Sequence, residues 1–382
     1  MADATFNTKL LALLRSWKGF YTVLRSVRRG FWYALVELGR YFGSSVRFGA
    51  PAGFYEGLNQ VRNGERQGGI ILETQELPAL PTPSLIERTG HNQNARQPWP
   101  IFWMKEAGVR LVGTSLAPLS SDKKLMREAV YGEEFCDTDP SYNYLFLPKA
   151  VSLPGSWTSI ISLWSSGYYH WFMDALPRLA LLADMPPETG VLVRGPLLRY
   201  QRESLQILGI EHRVRETSET HLLIEKYFFS SPVGMTGCTN PYSVKWLREK
   251  FLVHRAAIET PKRFFILRKG KTRGIRNEEE VSDYFCSQGW TLIDLETLAL
   301  SEQISLFQNA EAIAGEHGAG FSNLLWCRPG CRVLELCADN FLNGCYEGIA
   351  VSLRLQHNFI VFPTDGTSKI TIDISKISSY VK

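Results

Sequence analysis

The sequence is short of several things whose absence limits what the chain can be. It has no apolar run of the length and purity that a bilayer span requires. Residues 150–173 contain no Asp, Glu, Lys or Arg, but six Ser together with Pro154, Gly155 and Gly167 interrupt them and argue against a span. A secretory leader is not recognisable: the first apolar stretch lacks a small-residue cleavage site and is broken repeatedly by Arg. Seven Cys form an odd set with no tight pairwise framework, so a disulfide scaffold is not expected. Cys327, Cys331, Cys337 and Cys345 cluster, but loosely for zinc, and Cys337 falls in an apolar run of strand type. Core thiols in a reducing compartment are expected instead, with no metal. No folded basic module for reading nucleic acid is found, and no internal repeat.

What is present is an ordinary globular balance. With 382 residues, 45% hydrophobic and 21% charged, the chain is long enough for two α/β domains, each with its own core. The net charge of +4 is unevenly spread. Residues 1–50 carry eight Lys and Arg against Asp3 and Glu37, so the remaining chain sums to about −2. Within residues 6–43, Leu10, Leu13, Leu14, Trp17, Tyr21 and Leu24 recur at spacings of three and four, with basic residues between them. This predicts N-terminal amphipathic helices, either packed on the body or lying on an anionic membrane with Trp17, Phe20, Phe31 and Trp32 at headgroup depth.

From 46 to 150 the pattern is irregular, and residues 76–84 read as a connector. Asp137-Thr-Asp139 has the form of a short acidic metal-holding motif, but before Pro140 it reads more plausibly as a turn cap. Beyond 160, apolar runs at 191–193, 227–229, 263–267, 291–293, 312–314 and 332–336 alternate with helical stretches at 198–208, 243–258, 277–288 and 301–309. Such alternation predicts parallel sheets covered by helices.

Three constellations carry chemistry. In Gly315-Glu-His-Gly-Ala-Gly-Phe-Ser-Asn323, an apolar strand runs through glycines into a helix start. Glycine brings main-chain N–H groups close to a ligand, and a helix N-terminus favours an anion such as a diphosphate. His317 adds a side-chain donor. The second is Arg268-Lys-Gly-Lys-Thr-Arg-Gly-Ile-Arg-Asn-Glu278, a cationic loop at a strand's carboxyl end, where open α/β sheets bind ligands. Arg268 and Arg273 are candidate diphosphate clamps, since guanidinium forks match phosphate oxygens. The third is Gly167-Tyr-Tyr-His-Trp-Phe-Met-Asp-Ala-Leu-Pro-Arg178, where His170 and Asp174 share one helix face. Either would serve as general base on a hydroxyl; a mutually satisfied structural pair is the plainer reading.

In order, these are His-Trp-x-x-Asp-x-x-Pro-Arg, Leu-Arg-Lys-x-x-x-Arg-x-Ile-x-Asn-Glu, Glu302-Gln303 and Glu-His-Gly-Ala-Gly-x-x-Asn. Over about residues 160–360 this resembles glycosyltransferase family 61, which includes bacterial capsular and exopolysaccharide biosynthesis proteins, plant xylosyltransferases and animal N-acetylglucosaminyltransferases. One departure is Gly274, where family members often carry a second Arg before the Ile.

The resemblance implies a GT-B type α/β fold, with two Rossmann-like domains facing a central cleft behind the N-terminal helices. The expected bounds are 1–45 for the basic helical segment, 46–259 for the acceptor domain and 260–360 for the nucleotide-sugar domain. Residues 361–382 would form a tail packed back on the body. It implies an inverting, metal-independent transfer with no cofactor beyond the nucleotide-sugar donor as co-substrate, onto an oligosaccharide or polysaccharide acceptor. Asp174 and His170 are then the base candidates. Arg268, Arg273, Asn277, Glu278, His317, Gly318, Ala319, Gly320 and Asn323 would hold the donor, and Glu335 would contact a ribose or other hydroxyl. Polysaccharide synthesis at the cytoplasmic membrane face is the expected setting, with no nucleic-acid partner. Two rivals stand beside it: an inactive scaffold of the same fold, and a dinucleotide-dependent oxidoreductase. The latter suits residues 315–320 poorly, because Gly-x-Gly-x-x-Gly spacing is lacking.

Overall fold

A computed structural model describes residues 53–73, 79, 84–89, 99–121, 123–130, 147–162, 164–268, 273–364, 366 and 369–382. The basic segment 6–43, Asp137 and Asp139 lie outside these residues, as do residues 269–272 of the cationic loop. No helix among the described residues is long and apolar enough to cross a membrane.

The chain begins with β1 (Gly53–Tyr55), α1 (Gly57–Arg62), β2 (Gly68–Leu72), α2 (Leu85–Thr89), β3 (Ile101–Val112), β4 (Ala117–Leu119) and β5 (Lys124–Met126). β6 (Val151–Ser159) leads into a helical segment, Tyr168–Asp184, then β7 (Gly190–Arg194), α3 (Arg199–Ile207), β8 (Val214–Thr217), β9 (His221–Ser230) and α4 (Pro241–Phe251). The remainder alternates: β10 (Arg263–Ile266), β11 (Gly274–Ile275), α5 (Glu278–Ser287), β12 (Thr291–Ile293), α6 (Leu300–Asn309) and β13 (Ala312–Glu316). A 3₁₀ helix (Ala319–Trp326) precedes β14 (Arg332–Ala338), α7 (Cys345–Ser352), β15 (Gln356–Phe362), β16 (Lys369–Ile370) and α8 (Ile374–Val381).

Contacts divide the chain into two compact units. In the first, drawn from residues 1–56, 109–153 and 219–224, β1 runs parallel to β5, and β4 pairs antiparallel with β5 and with the end of β3. Val112, Leu119, Leu125 and Val130 fill its core.

The second unit holds residues 57–108, 154–218 and 225–382. Two parallel sets organise it: β6-β7-β8, and the five-stranded β12-β10-β13-β14-β15. The apolar runs at 191–193, 227–229, 291–293, 312–314 and 332–336 all fall in strands, and 263–267 overlaps β10. Strand periodicity explains why those runs are continuous, since a parallel sheet is buried on both faces. Phe264, Ile266, Ile313 and Val333 turn toward one core, while Phe265, Ala312, Ala314, Leu334 and Leu336 turn toward the other. The second core is closed by Val281 and Phe285 of α5 and by Ile377 and Val381 of α8. The first also takes Tyr169, Trp171, Phe172 and Leu176 from the Tyr168–Asp184 segment, so one hydrophobic core runs under both parallel sets. Cys327, Cys331 and Cys345 lie in that core as free thiols.

The helix expected over 243–258 ends earlier. After α4 and one 3₁₀ turn (Leu252–His254) the chain becomes extended, and Ala256 N–H donates to Ser301 O at 3.1 Å. Competition from that bond, absent from any local pattern, sets the boundary.

Candidate functional site

The Tyr168–Asp184 segment begins α-helical, widens into a π turn over Trp171–Ala175, and tightens to 3₁₀ from Leu176 with Pro177 in its first turn. The π bond runs from Leu176 N–H to Trp171 O. Single π turns of this kind recur at functional sites. Here His170 Nδ1 lies 2.7 Å from Asp174 Oδ2, so the spacing of four does bring the pair together. Thr236 Oγ1 donates to the same oxygen at 2.6 Å and lies 3.2 Å from His170 Nδ1. Asp174 is buried, with its side chain only 3% exposed, while that of His170 is 29% exposed. His170 Nε2 has no hydrogen-bond partner among the described residues. Trp171 Nε1 donates to Ser204 Oγ, and Arg178 donates to the carbonyls of Ser230 and Ile161. Those two motif residues pin the segment; His170 is the one left facing outward.

The second cluster sits at the carboxyl ends of β10, β12 and β13. A pocket of about 260 Å³ opens there between Ile266, Arg268, Asp294, Leu295, Glu316 and the Gly318–Gly320 backbone. Among the described residues, the N–H groups of Gly318, Ala319 and Gly320 have no backbone partner, and they stand at the start of the 3₁₀ helix. None of these glycines has a positive φ; small size is what matters at this strand end. A Cβ on Gly318 would lie 3.3 Å from Arg268 Nη1, and one on Gly320 would lie 2.8 Å from Leu295 Cδ1. Glycine thus lets the guanidinium lie against the main chain.

Arg268 Nη1 donates to His317 O at 2.6 Å and to Glu316 Oε1 at 3.3 Å. The Arg273 guanidinium stacks over Phe341 at 4.1 Å. Burial, then the neighbouring Arg268, both oppose the charge of Arg273 and lower its pKa. Glu316 is itself 6% exposed, its Oε2 is unpartnered, and burial pushes its pKa up against the pull of Arg268. The sequence reading singled out neither Glu316 nor Thr236, although Glu316 stands beside His317 in the glycine motif.

Several expected donor contacts face elsewhere. Asn323 is 1% exposed and fully engaged: it accepts from Tyr168 Oη and Trp326 Nε1 and donates to Gln303 Oε1 and Gly320 O. Gln303 donates to Leu295 O and Leu298 O, and Glu302 caps the α6 N-terminus at Ala299 N–H. The Glu302-Gln303 pair is therefore a brace under the pocket. Asn277 ties the start of α5 to Ile372 in both directions, donating through Nδ2 and accepting through Oδ1. Glu278 opens α5 and raises the pKa of Glu316 through like-charge repulsion.

Glu335, expected on a ribose or other hydroxyl, is fully buried. Its Oε1 meets His317 Nδ1 and its Oε2 meets His357 Nε2 at 2.8 Å, so no oxygen is left for a ligand. His317, Glu335 and Cys337 are the one trio among the described residues close enough to hold a metal ion. Two of the three, His317 and Glu335, are hydrogen-bonded to each other. The two clusters connect through aromatic rings: His170 to Tyr169 at 5.2 Å, Tyr169 to Tyr346 at 5.8 Å, and Tyr346 to His317 at 4.9 Å.

Residues 168–334 match the model of the family described as Glycosyltransferase 61. That span covers both clusters except for Glu335, Phe341, Tyr346 and His357. The match supports a glycosyltransferase, with a sugar donor and a glycan acceptor as its general substrate classes. No curated protein matches the sequence.

Proposed function

We propose that this chain is an inverting, metal-independent glycosyltransferase that moves a hexosyl or pentosyl unit from a nucleotide sugar to a glycan hydroxyl in polysaccharide synthesis. The observation that carries the mechanism is the bond between His170 Nδ1 and Asp174 Oδ2 at 2.7 Å. A neutral imidazole donating there through Nδ1–H leaves Nε2 with its lone pair outward. Nε2 then accepts the proton of the acceptor hydroxyl, and Asp174 fixes the tautomer. Thr236, donating to the same carboxylate oxygen, holds Asp174 in place.

As the acceptor oxygen bonds to the anomeric carbon, the bond to the diphosphate oxygen breaks and its electron pair leaves with the nucleoside diphosphate. Attack and departure on opposite faces invert the centre. The growing negative charge meets Arg268, Arg273, His317 and the N–H groups of Gly318, Ala319 and Gly320, a preorganised set doing what a divalent cation does elsewhere. A GT-B arrangement of two facing Rossmann-like domains belongs to the same proposal. So do the bounds 46–259 and 260–360, and association of residues 6–43 with an anionic membrane.

The test is release of nucleoside diphosphate from a panel of UDP-, GDP- and ADP-sugars, with water or added oligosaccharide as acceptor, in EDTA. Full turnover in EDTA is expected. A strict manganese requirement refutes the metal-free mechanism and returns attention to Asp137 and Asp139.

A further inference from the structure

Sheet register fixes the order of side chains along the carboxyl edge of the five-stranded sheet. Ile266 of β10 aligns with Ile293 of β12 on one side and with Gly315 of β13 on the other, and Gly315 aligns with Glu335 of β14. The edge therefore runs from Asp294 to Arg268, then to His317 and the Gly318–Gly320 turn, then to β14. Two cavities meet along it, sharing Leu295, Glu296, Ala319 and Gly320. One is the pocket of about 260 Å³ described above. The other, about 380 Å³, continues past Leu298 to Leu198, Tyr200 and Tyr168. His170, Tyr169, His317 and Tyr346 line neither. His317 bonds Glu335 of β14, so the rings that lead from His317 to His170 leave the glycine turn on its β14 side, and the cavities open on its β12 side.

We infer that the nucleotide sugar lies across this edge with its sugar toward β14 and its nucleoside toward β12, the ribose hydroxyls on Asp294 and the base between Leu298 and Tyr200. The inference rests on the donor-site reading above. With the diphosphate on the Gly318–Gly320 turn, one end of it carries the anomeric carbon and the other the nucleoside. The anomeric carbon has to meet an acceptor oxygen held at His170, which places the sugar on the β14 side. The cavities on the other side are left for the nucleoside.

Glu335, the acid expected on the ribose, has both oxygens on histidines. Asp294 stands where a ribose can reach it. It follows β12, the second strand of the β10–α5–β12 unit, and doubly wound sheets hold ribose hydroxyls with an acid at that strand end. Its Oδ1 accepts from Glu296 N–H at 3.0 Å and caps the short turn Leu295–Thr297. Its Oδ2 has no hydrogen bond among the described residues, and the side chain lines the smaller cavity. An ionised carboxylate oxygen only accepts, so it repels a phosphate and suits a hydroxyl. β10 alone separates β12 from β13, and two strand spacings put Asp294 about 10 Å from the glycine turn. A ribose 5′-phosphate with a hydrogen bond at each end bridges that span.

The larger cavity offers flat apolar surface and few free polar atoms. Leu198 is 50% exposed at its rim, and the Tyr168 and Tyr200 rings stand 4.8 Å apart in its wall. Its polar residues are committed elsewhere. Gln303 donates to Leu295 O and Leu298 O, and Tyr168 Oη bonds Gln303 and Asn323. Glu203 accepts from Leu300 N–H at 2.8 Å and from Arg199 Nε at 2.7 Å. A hydroxyl-rich sugar buried there would lose its bonds to water without replacement, whereas a heterocycle needs only faces to pack on. The Glu302-Gln303 motif thereby gains a purpose: by fixing Leu295, Leu298 and Ala299 it holds the floor on which the base lies.

The experiment is calorimetry on the full chain in EDTA, with inorganic pyrophosphate, with UDP, GDP and ADP, and with the 2′-deoxy and 3′-deoxy forms of whichever diphosphate binds tightest. The wild type should bind that nucleoside diphosphate at least about tenfold tighter than pyrophosphate, and lose about tenfold when the contacted hydroxyl is missing. Asp294→Ser, which still caps the Leu295–Thr297 turn, should bind the ribo and deoxy forms equally and keep its pyrophosphate affinity. Tyr200→Ala should weaken the nucleoside diphosphate about tenfold and leave pyrophosphate unchanged. A deoxy preference that survives in Asp294→Ser overturns the inference, as does a nucleoside diphosphate that binds the wild type no tighter than pyrophosphate; the second needs no variant to fold. Pyrophosphate affinity that falls in step with the nucleotide in both variants overturns it too, since the residues would then only support the fold. If neither pyrophosphate nor any nucleoside diphosphate binds the wild type, the donor-site reading itself fails.

Discussion

Replacing Asp174 by Asn tests the proposed base most directly, because the change alters one atom and little volume. In the wild type, Asp174 Oδ2 takes hydrogen bonds from Thr236 Oγ1 at 2.6 Å and His170 Nδ1 at 2.7 Å. Both bonds end on one oxygen, so an amide that turns its nitrogen there faces Thr236 and His170 Nδ1 with a donor and forces the imidazole proton onto Nε2, where it cannot take another. An amide that keeps its oxygen there retains both bonds but lacks the charge that steadies the imidazolium. Amide replacement in an acid–histidine pair lowers kcat by up to about 10⁴ through this wrong tautomer, and loss of general base catalysis alone costs about 10²–10⁴. That corresponds to roughly 3–5 kcal/mol at 1.36 kcal/mol per decade. Exchanging a charged for a neutral hydrogen-bond partner in the interior costs roughly 1–3 kcal/mol of stability, within the 5–15 kcal/mol a domain typically has. The variant should therefore fold, bind pyrophosphate like the wild type, and release nucleoside diphosphate at least a hundredfold more slowly. Unchanged turnover would remove the pair from the mechanism. Pyrophosphate affinity that disappears with turnover would show that Asp174 shapes the donor site and is not part of the base.

Gly318→Ala should weaken pyrophosphate binding about tenfold with Tm nearly unchanged, since its Cβ would sit 3.3 Å from Arg268 Nη1 and push the guanidinium off the main chain; equal affinity by calorimetry contradicts the clamp role of Arg268. Acid should expose the buried carboxylate. Folding lowers Glu335 from 4.5 to about 2, so its contribution is fully present above about pH 4.5 and is lost as pH falls through 2. A shift of that size is worth about 3 kcal/mol, so urea midpoints should fall more steeply between pH 4.5 and 2 in the wild type than in Glu335→Gln. Parallel midpoints over that window would mean Glu335 is not held ionised by its histidines.

Much of the second unit was legible before any tertiary contact. The runs around Val191–Val193, Phe264–Phe265, Ala312–Ala314 and Val333–Leu336 needed only the rule that a two-sided buried strand is continuously apolar. His170 and Asp174 were legible because their spacing is local. What misled was adjacency within a motif. Asn323 and Gln303 stand in or beside the quoted motifs but turn into the core to bond one another, Tyr168 and Trp326. Glu302 does the same work at a helix start. Thr236 escaped notice because it reaches His170 and Asp174 across 62 to 66 positions from a loop without a motif.

The sequence by itself determined the chemical inventory: glycines after a strand, arginines at another strand's end, a histidine and an acid one turn apart. Side-chain types and local periodicity decide these, and neither needs the rest of the chain. Which acid meets which histidine was decided only by tertiary structure. Glu335 looked like a ligand contact at a strand end. Parallel register across β13, β14 and β15 instead buried it between His317 and His357, 18 and 22 positions away. A side chain's direction depends on the parity of its neighbours in the sheet, and that parity exists only once the strands have paired.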